Sequence, residues 1–179
     1  SHVVTSIDQN AWKAAYLNEI KRVGGETQGR VLRSVFFGGG TPSLMDVRTV
    51  DRILNRIRKH WRLANDLEVT LEANPTSIEA ERFVGYLGAG VNRVSVGVQA
   101  LNDPDLKALG RLHSAREALA AVDVARNTFD RVSFDLIYAR QNQSATQWRA
   151  ELTQALALEP DHLSLYQLTI EDGTAFGDR

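Results

Sequence analysis

The chain has 179 residues, 43% hydrophobic and 24% charged, with a formal net charge of −1. That length suits one globular domain, and so small a net charge gives no electrostatic case for attachment to nucleic acid or to an anionic membrane. The absence of cysteine excludes disulfides, thiolate–metal sites and a cysteine nucleophile within these residues.

In chain order, Ser6-Ile7-Asp8 starts a first helix, with Trp12, Tyr16 and Ile20 on one face and Gly24-Gly25 closing it. Val31 to Phe37 is an apolar run that reads as a buried strand. It stops in Gly38-Gly39-Gly40-Thr41-Pro42. Successive residues without Cβ allow positive φ and close approach to another molecule, and their N–H groups can form a nest for a carboxylate or other anion. A tight strand-to-helix turn with no ligand is the plain alternative. Val47, Val50, Ile53, Leu54, Ile57 and Trp61 then form an amphipathic helix, whose cations Arg52, Arg56, Arg58, Lys59 and Arg62 read as a solvated face.

A second strand, Leu67 to Ala73, is stopped by Asn74-Pro75. Thr76-Ser77-Ile78-Glu79 has capping-box spacing, and the helix it opens carries Phe83, Val84 and Leu87 before Gly88-Ala89-Gly90. Arg93 to Gln99 is the third strand, followed by a short helix from Asp103-Pro104 to Gly110. Ser114 to Glu117 is a further capping box, opening an alanine-rich helix through Val122 and Ala125. Val132 to Tyr138 is the fourth strand. A helix starting at Ser144 to Gln147 carries Trp148, Leu152, Ala155 and Leu156 and ends at Glu159-Pro160. Leu163 to Ile170 is the fifth strand, and Glu171-Asp172-Gly173-Thr174 begins a loop.

Strands alternating with helices indicate parallel β/α units, which close into all or part of a barrel or lie in a doubly wound open sheet. No apolar segment reaches the roughly 20 residues that span a bilayer, and Ser1-His2-Val3-Val4-Thr5 is no secretory leader, so a cytoplasmic location is expected. His2, His60, His113 and His162 show no ligand-like spacing, and no metal site is expected from them.

Ligands bind at the carboxyl ends of parallel strands. There the sequence places Gly39, Gly40 and Thr41, then Glu72, then Gln99 with Arg111 and His113 a little beyond, then Asp135, then Gln167 and Thr169. Glu72 and Gln99 can instead satisfy backbone donors of the next turn, and Arg111 can be a surface residue. Asp135 sits inside the apolar Phe134-Asp135-Leu136-Ile137 and needs a partner. Together these groups suit a small molecule of both charges. The glycine nest and Arg111 can hold a carboxylate, Glu72 an ammonium, and Asp135 ribose hydroxyls. An amino acid joined to a nucleoside fits, and no P-loop signature is present.

Five segments occur in the order of a known family. They are Phe37-Gly38-Gly39-Gly40-Thr41-Pro42-Ser43-Leu44, Leu71-Glu72-Ala73-Asn74-Pro75, the stretch from Ala89 to Gln99, Leu109-Gly110-Arg111-Leu112-His113, and the stretch from Leu165 to Glu171. They resemble the radical S-adenosylmethionine proteins of the oxygen-independent coproporphyrinogen III oxidase-like family, closest to its bacterial heme chaperone branch. The resemblance covers nearly the whole chain. It implies an α/β fold, a partial TIM-like barrel whose open side binds S-adenosylmethionine against a [4Fe–4S] cluster. Position by position, Gly39, Gly40 and Thr41 would meet the methionine end of that cofactor. Glu72, Gln99, Arg111, Asp135 and Thr169 match its remaining binding positions.

The resemblance also implies, in the intact protein, reductive cleavage of the cofactor to methionine and a 5′-deoxyadenosyl radical. It further implies heme or porphyrin as a partner, with heme handed on, possession of a membrane acceptor being compatible with it. Oxidative decarboxylation of coproporphyrinogen III is the enzymatic alternative, and an unrelated β/α phosphate-binding module is the third.

Two departures carry consequences. The family's Cys-x-x-x-Cys-x-x-Cys loop has no counterpart in a chain without cysteine. Residues 1–179 are therefore expected to be a partial radical SAM core, with the first strand, its cluster loop and the C-terminal region lying outside it, and without catalysis of its own. An unpaired sheet edge and exposed apolar surface beside Val31 to Phe37 should follow. Second, Ala139-Arg140-Gln141-Asn142 stands where the family usually has a Gly-Leu-Pro turn, so the chain should turn differently after Tyr138.

Overall fold

The computed structural model describes residues 7–158 and 160–170. Five strands, β1 (Val31–Phe37), β2 (Arg62–Ala73), β3 (Arg93–Gln99), β4 (Arg131–Tyr138) and β5 (His162–Gln167), form one sheet in the order β1-β2-β3-β4-β5. Every neighbouring pair is parallel. The sheet curls into a half-barrel, with the helices on its convex face.

Alternation along the strands decides which face is which. Val69, Leu71 and Ala73 of β2, Val94, Val96 and Val98 of β3, and Val132, Phe134 and Leu136 of β4 are all buried, forming the core with the helices outside. The register sets the other set side by side: Glu72 with Ser95, Ser95 with Ser133, Asp135 with Ser164. The concave face is thus polar.

The helices are α1 (Gln9–Glu26), α2 (Val47–His60), α3 (Ser77–Ala80), α4 (Phe83–Ala89), α5 (Asp103–Ala108), α6 (Ala115–Thr128) and α7 (Ala145–Leu156). α2 buries Val50, Ile53, Leu54 and Ile57, the face its periodicity predicts. α6 and α7 both open on complete capping boxes, at Ser114 with Glu117 and at Ser144 with Gln147.

Four local expectations are corrected. Gly24 and Gly25 lie inside α1, which runs on to Glu26. Gly24 serves close packing, since a Cβ there would stand 2.8 Å from the His60 side chain. Asp8 caps that helix through bonds from the Asn10 and Ala11 amides, and Ser6 lies outside the described residues. β2 starts at Arg62, its first residues pairing with Val31 and Leu32 before a register shift.

The helix expected after Thr76 is split into α3 and α4. Its buried face is Phe83, Tyr86 and Ala89, leaving Val84 and Leu87 exposed, and Gly90 (φ 110°) ends it. β5 stops at Gln167, so Thr169 follows the strand. The loop from Glu171 lies outside the described residues.

Among the described residues nothing pairs with the outer edge of β1, and Phe36 on it is exposed together with Trp12 and Tyr16. The turn after Tyr138 is unusual, with positive φ at Ala139 (56°) and Asn142 (59°). Buried Arg140 holds it, donating to the Ile137 carbonyl at 2.6 Å, to Asp105 at 2.7 Å and to Glu151 at 2.6 Å. Glu151 also accepts from the Leu101 amide at 2.8 Å, so the ends of β3 and β4 are tied to α5 and α7.

Candidate functional site

At the carboxyl ends of the strands lies a cavity of about 180 Å³. Six of the residues singled out from the sequence line it: Gly40, Thr41, Glu72, Gln99, Arg111 and Asp135. Gly39 is beside it, its amide donating to the Glu72 carboxylate at 3.2 Å. Thr169 is outside, on the exposed segment after β5, its hydroxyl 3.5 Å from the Gln167 carbonyl.

The glycine turn is a matter of backbone conformation. Gly39 (φ 80°) and Gly40 (φ 48°) are left-handed, and a Cβ on either would meet nothing within 4 Å. Glycine is required there because an L side chain strains that backbone, while the open space above it stays available to a ligand. Gly38 is different: a Cβ would stand 2.7 Å from the Phe36 ring.

On the opposite side a chain of hydrogen bonds joins three elements. Arg111, in the loop after α5, donates to Gln99 Oε1 at 2.6 Å, and Gln99 Nε2 donates to Asp135 Oδ2 at 2.7 Å. Gln99 ends β3 with φ 72°, rare for an L residue, just after a register shift against β4. The other carboxylate oxygen, Asp135 Oδ1, is buried without a partner among the described residues. Burial pushes the Asp135 carboxyl up to about 6, with the Arg111 charge pulling the other way.

Arg111 has no carboxylate within ion-pair distance among the described residues. Gly97 leaves the floor open, since a Cβ there would approach Gln99 Nε2 to 3.5 Å and Asp135 Oδ1 to 3.9 Å. An acceptor without a donor, a cation without an anion and a floor without a side chain fit a ligand carrying hydroxyls and a carboxylate.

Besides Gly97, three lining residues with polar side chains escaped the sequence reading. Asn74 and Tyr166 stand within quoted segments but were not singled out, and Ser95 shares the parity of Gly97 and Gln99 along β3, which is the signal that points to it. His113, named beside Arg111, turns its Nε2 to the Val98 carbonyl at 3.2 Å.

The Radical SAM superfamily model matches residues 8–148. The chain belongs to the Radical SAM superfamily. It is 43% identical over 162 residues to the heme chaperone HemW of Haemophilus influenzae, and the match takes in 90% of this chain and 42% of that protein. The HemW of Escherichia coli is 44% identical over 164 residues, 91% of this chain and 43% of that one. This chain therefore spans less than half the length of those curated relatives. The structure of coproporphyrinogen III oxidase (HemN) from Escherichia coli, a radical SAM enzyme, aligns over 97% of this chain and 41% of that one, with a TM-score of 0.81 at 25% identity.

Membership implies S-adenosylmethionine and a [4Fe–4S] cluster in the family. The cleft fits the first, on the free Asp135 oxygen, the unpaired Arg111 and the bare Gly97. The cluster does not fit the residues present. The 179 residues contain no cysteine, and no group of three or more His, Asp and Glu is placed to hold a metal ion among the described residues. No described helix is long and apolar enough to cross a membrane.

Proposed function

We propose that this chain is the S-adenosylmethionine-binding core of a radical SAM heme chaperone-like protein. The observation that carries this reading is the Arg111–Gln99–Asp135 relay, which presents an unpartnered carboxylate oxygen to a cleft walled on its other side by Glu72 and the glycine turn. Asp135 accepts bonds from ribose hydroxyls, and Gln99 holds it in place. Arg111 compensates a carboxylate. Gly39, Gly40, Thr41 and Glu72 take the amino-acid end, with Glu72 facing the ammonium. Thr169 joins the set on the resemblance alone. Bound there, S-adenosylmethionine would supply the radical chemistry of the superfamily, and the part of this chain's residues would be to bind and orient it.

Calorimetry on the chain tests the binding: S-adenosylmethionine should bind and a simple phosphate ester should not. Tight phosphate-ester binding with no response to S-adenosylmethionine would leave a β/α phosphate module as the better reading. The identities of 43% and 44% to HemW proteins support heme transfer over porphyrin oxidation. Product analysis of the full-length protein decides that part, because steady protoporphyrinogen formation would make it an oxidase.

A further inference from the structure

Glu79 is only 5% exposed, yet no cation lies within ion-pair distance of it among the described residues. Its spacing from Thr76 is that of a capping box, and the Glu79 amide does approach the Thr76 hydroxyl, at 3.4 Å. The other half of the box is missing, because the Thr76 amide bonds the Asn74 carbonyl at 2.9 Å. The carboxylate instead accepts from the Ser43 hydroxyl, from the Asn74 amide at 2.7 Å and from Asn74 Nδ2 at 3.2 Å. Asn74 Nδ2 in turn lies 3.5 Å from the Thr41 hydroxyl.

One buried carboxylate thus fastens the loop after β1 to the loop after β2. The Ser43 carbonyl is gripped from the other side, by Arg82 Nη1 at 3.2 Å and the Tyr86 hydroxyl at 2.8 Å. Thr41 and Asn74 both line the cleft; Glu79 does not. Burying a carboxylate without a cation costs stability unless donors surround it, so these bonds are what makes Glu79 tolerable.

We propose that Glu79 is a positioning residue for the amino-acid end of the ligand, acting through Asn74 and Ser43 on the Thr41 wall of the cleft. This rests on the cofactor reading above. It assigns Glu79 no part in the nucleoside end, which Gln99 and Asp135 take from β3 and β4 with no bond to Glu79. In Glu79→Gln the new amide turns an NH2 toward donors that previously met an acceptor, and the clamp loosens at one end of the cleft only.

The test compares S-adenosylmethionine with 5′-methylthioadenosine, which keeps the nucleoside and lacks the amino-acid end, by calorimetry on the chain and on E79Q. S-adenosylmethionine should weaken about tenfold in the variant, with 5′-methylthioadenosine unchanged. Equal weakening of both, or of neither, overturns the positioning role and leaves the cofactor reading standing. A wild-type chain that binds neither, or both equally, overturns the cofactor reading and this inference with it. Ser43→Ala removes one arm of the clamp while keeping Glu79, and is read by the same ratio if E79Q does not fold.

Discussion

Replacing Asp135 by Asn should make the chain more stable at neutral pH and worse at binding. Burial raises the carboxyl from 3.8 to about 6, so the folded state prefers the protonated form. With the folded value above the unfolded one, the native chain binds more protons between those two pH values, and stability falls as pH rises through that window. One pKa unit is about 1.4 kcal/mol, which puts the cost of ionised Asp135 above pH 7 at roughly 3 kcal/mol as a ceiling. The variant keeps an acceptor for Gln99 Nε2 but leaves its own NH2 where Oδ1 has no partner. That returns about 1 kcal/mol. The net gain of about 1–2 kcal/mol corresponds to roughly 2–8 °C in Tm for a domain of this size. Thermal melts at pH 7.5 and pH 4 read it: D135N should melt higher at pH 7.5, and the gap should shrink or reverse at pH 4, where wild-type Asp135 is largely protonated when folded. A variant less stable than wild type at pH 7.5, or a difference independent of pH, would refute the claim that Asp135 is a strained acceptor held for a ligand.

Arg140→Ala should destabilise by about 3–5 kcal/mol in urea unfolding, because it leaves Glu151, itself 7% exposed, without its cation. Gly24→Ala should lower Tm although alanine favours helix, since its Cβ meets His60 at 2.8 Å; an increase would show that α1 and α2 separate without cost. Anaerobic reconstitution of the chain with iron and sulfide should yield no [4Fe–4S] absorption, and stoichiometric incorporation would contradict the reliance on thiolate ligands.

The strand-end residues were legible because parallel sheets put ligand groups at one place and alternation puts them on one face. Glu72, Gln99 and Asp135 needed nothing more. Arg111 sits off any strand, on a loop after a short helix, so alternation could not place it, and its only signals were a cation a little beyond the end of the third strand and the family pattern. What failed were residues whose partners come from elsewhere in the chain. Gly24 looks like a helix stop in isolation and becomes a contact point only against His60. Glu79 looks like a cap until the Ser43 and Asn74 donors are beside it. Arg140 signalled a different turn, but Asp105, 35 residues before it, was invisible as its partner. The left-handed backbone of Gln99 carries no sequence signal, because glutamine is not a residue chosen for positive φ.

The two ends of the concave face treat charge in opposite ways, and that contrast bears on where a ligand goes. At the amino ends of the strands Glu68 bridges Arg93 at 2.9 Å and Arg131 at 3.1 Å, and Arg93 also donates to Ser133 at 3.2 Å. Burial raises the Glu68 carboxyl, yet the bonds and charge of Arg93, helped by Arg131, outweigh that and hold it below its ordinary value. Those charges are satisfied by one another. At the carboxyl ends the same sheet leaves Asp135 Oδ1 without a donor and ties Arg111 to a neutral amide instead of an anion. A fold optimised only for stability would close the second end as it closes the first, for example by pairing Arg111 directly with Asp135. Gln99 prevents that by standing between them, bonded to both. Shortening it to Ala should therefore let the two charges pair, raising stability while abolishing ligand binding, whereas a purely structural Gln99 would give a loss of both.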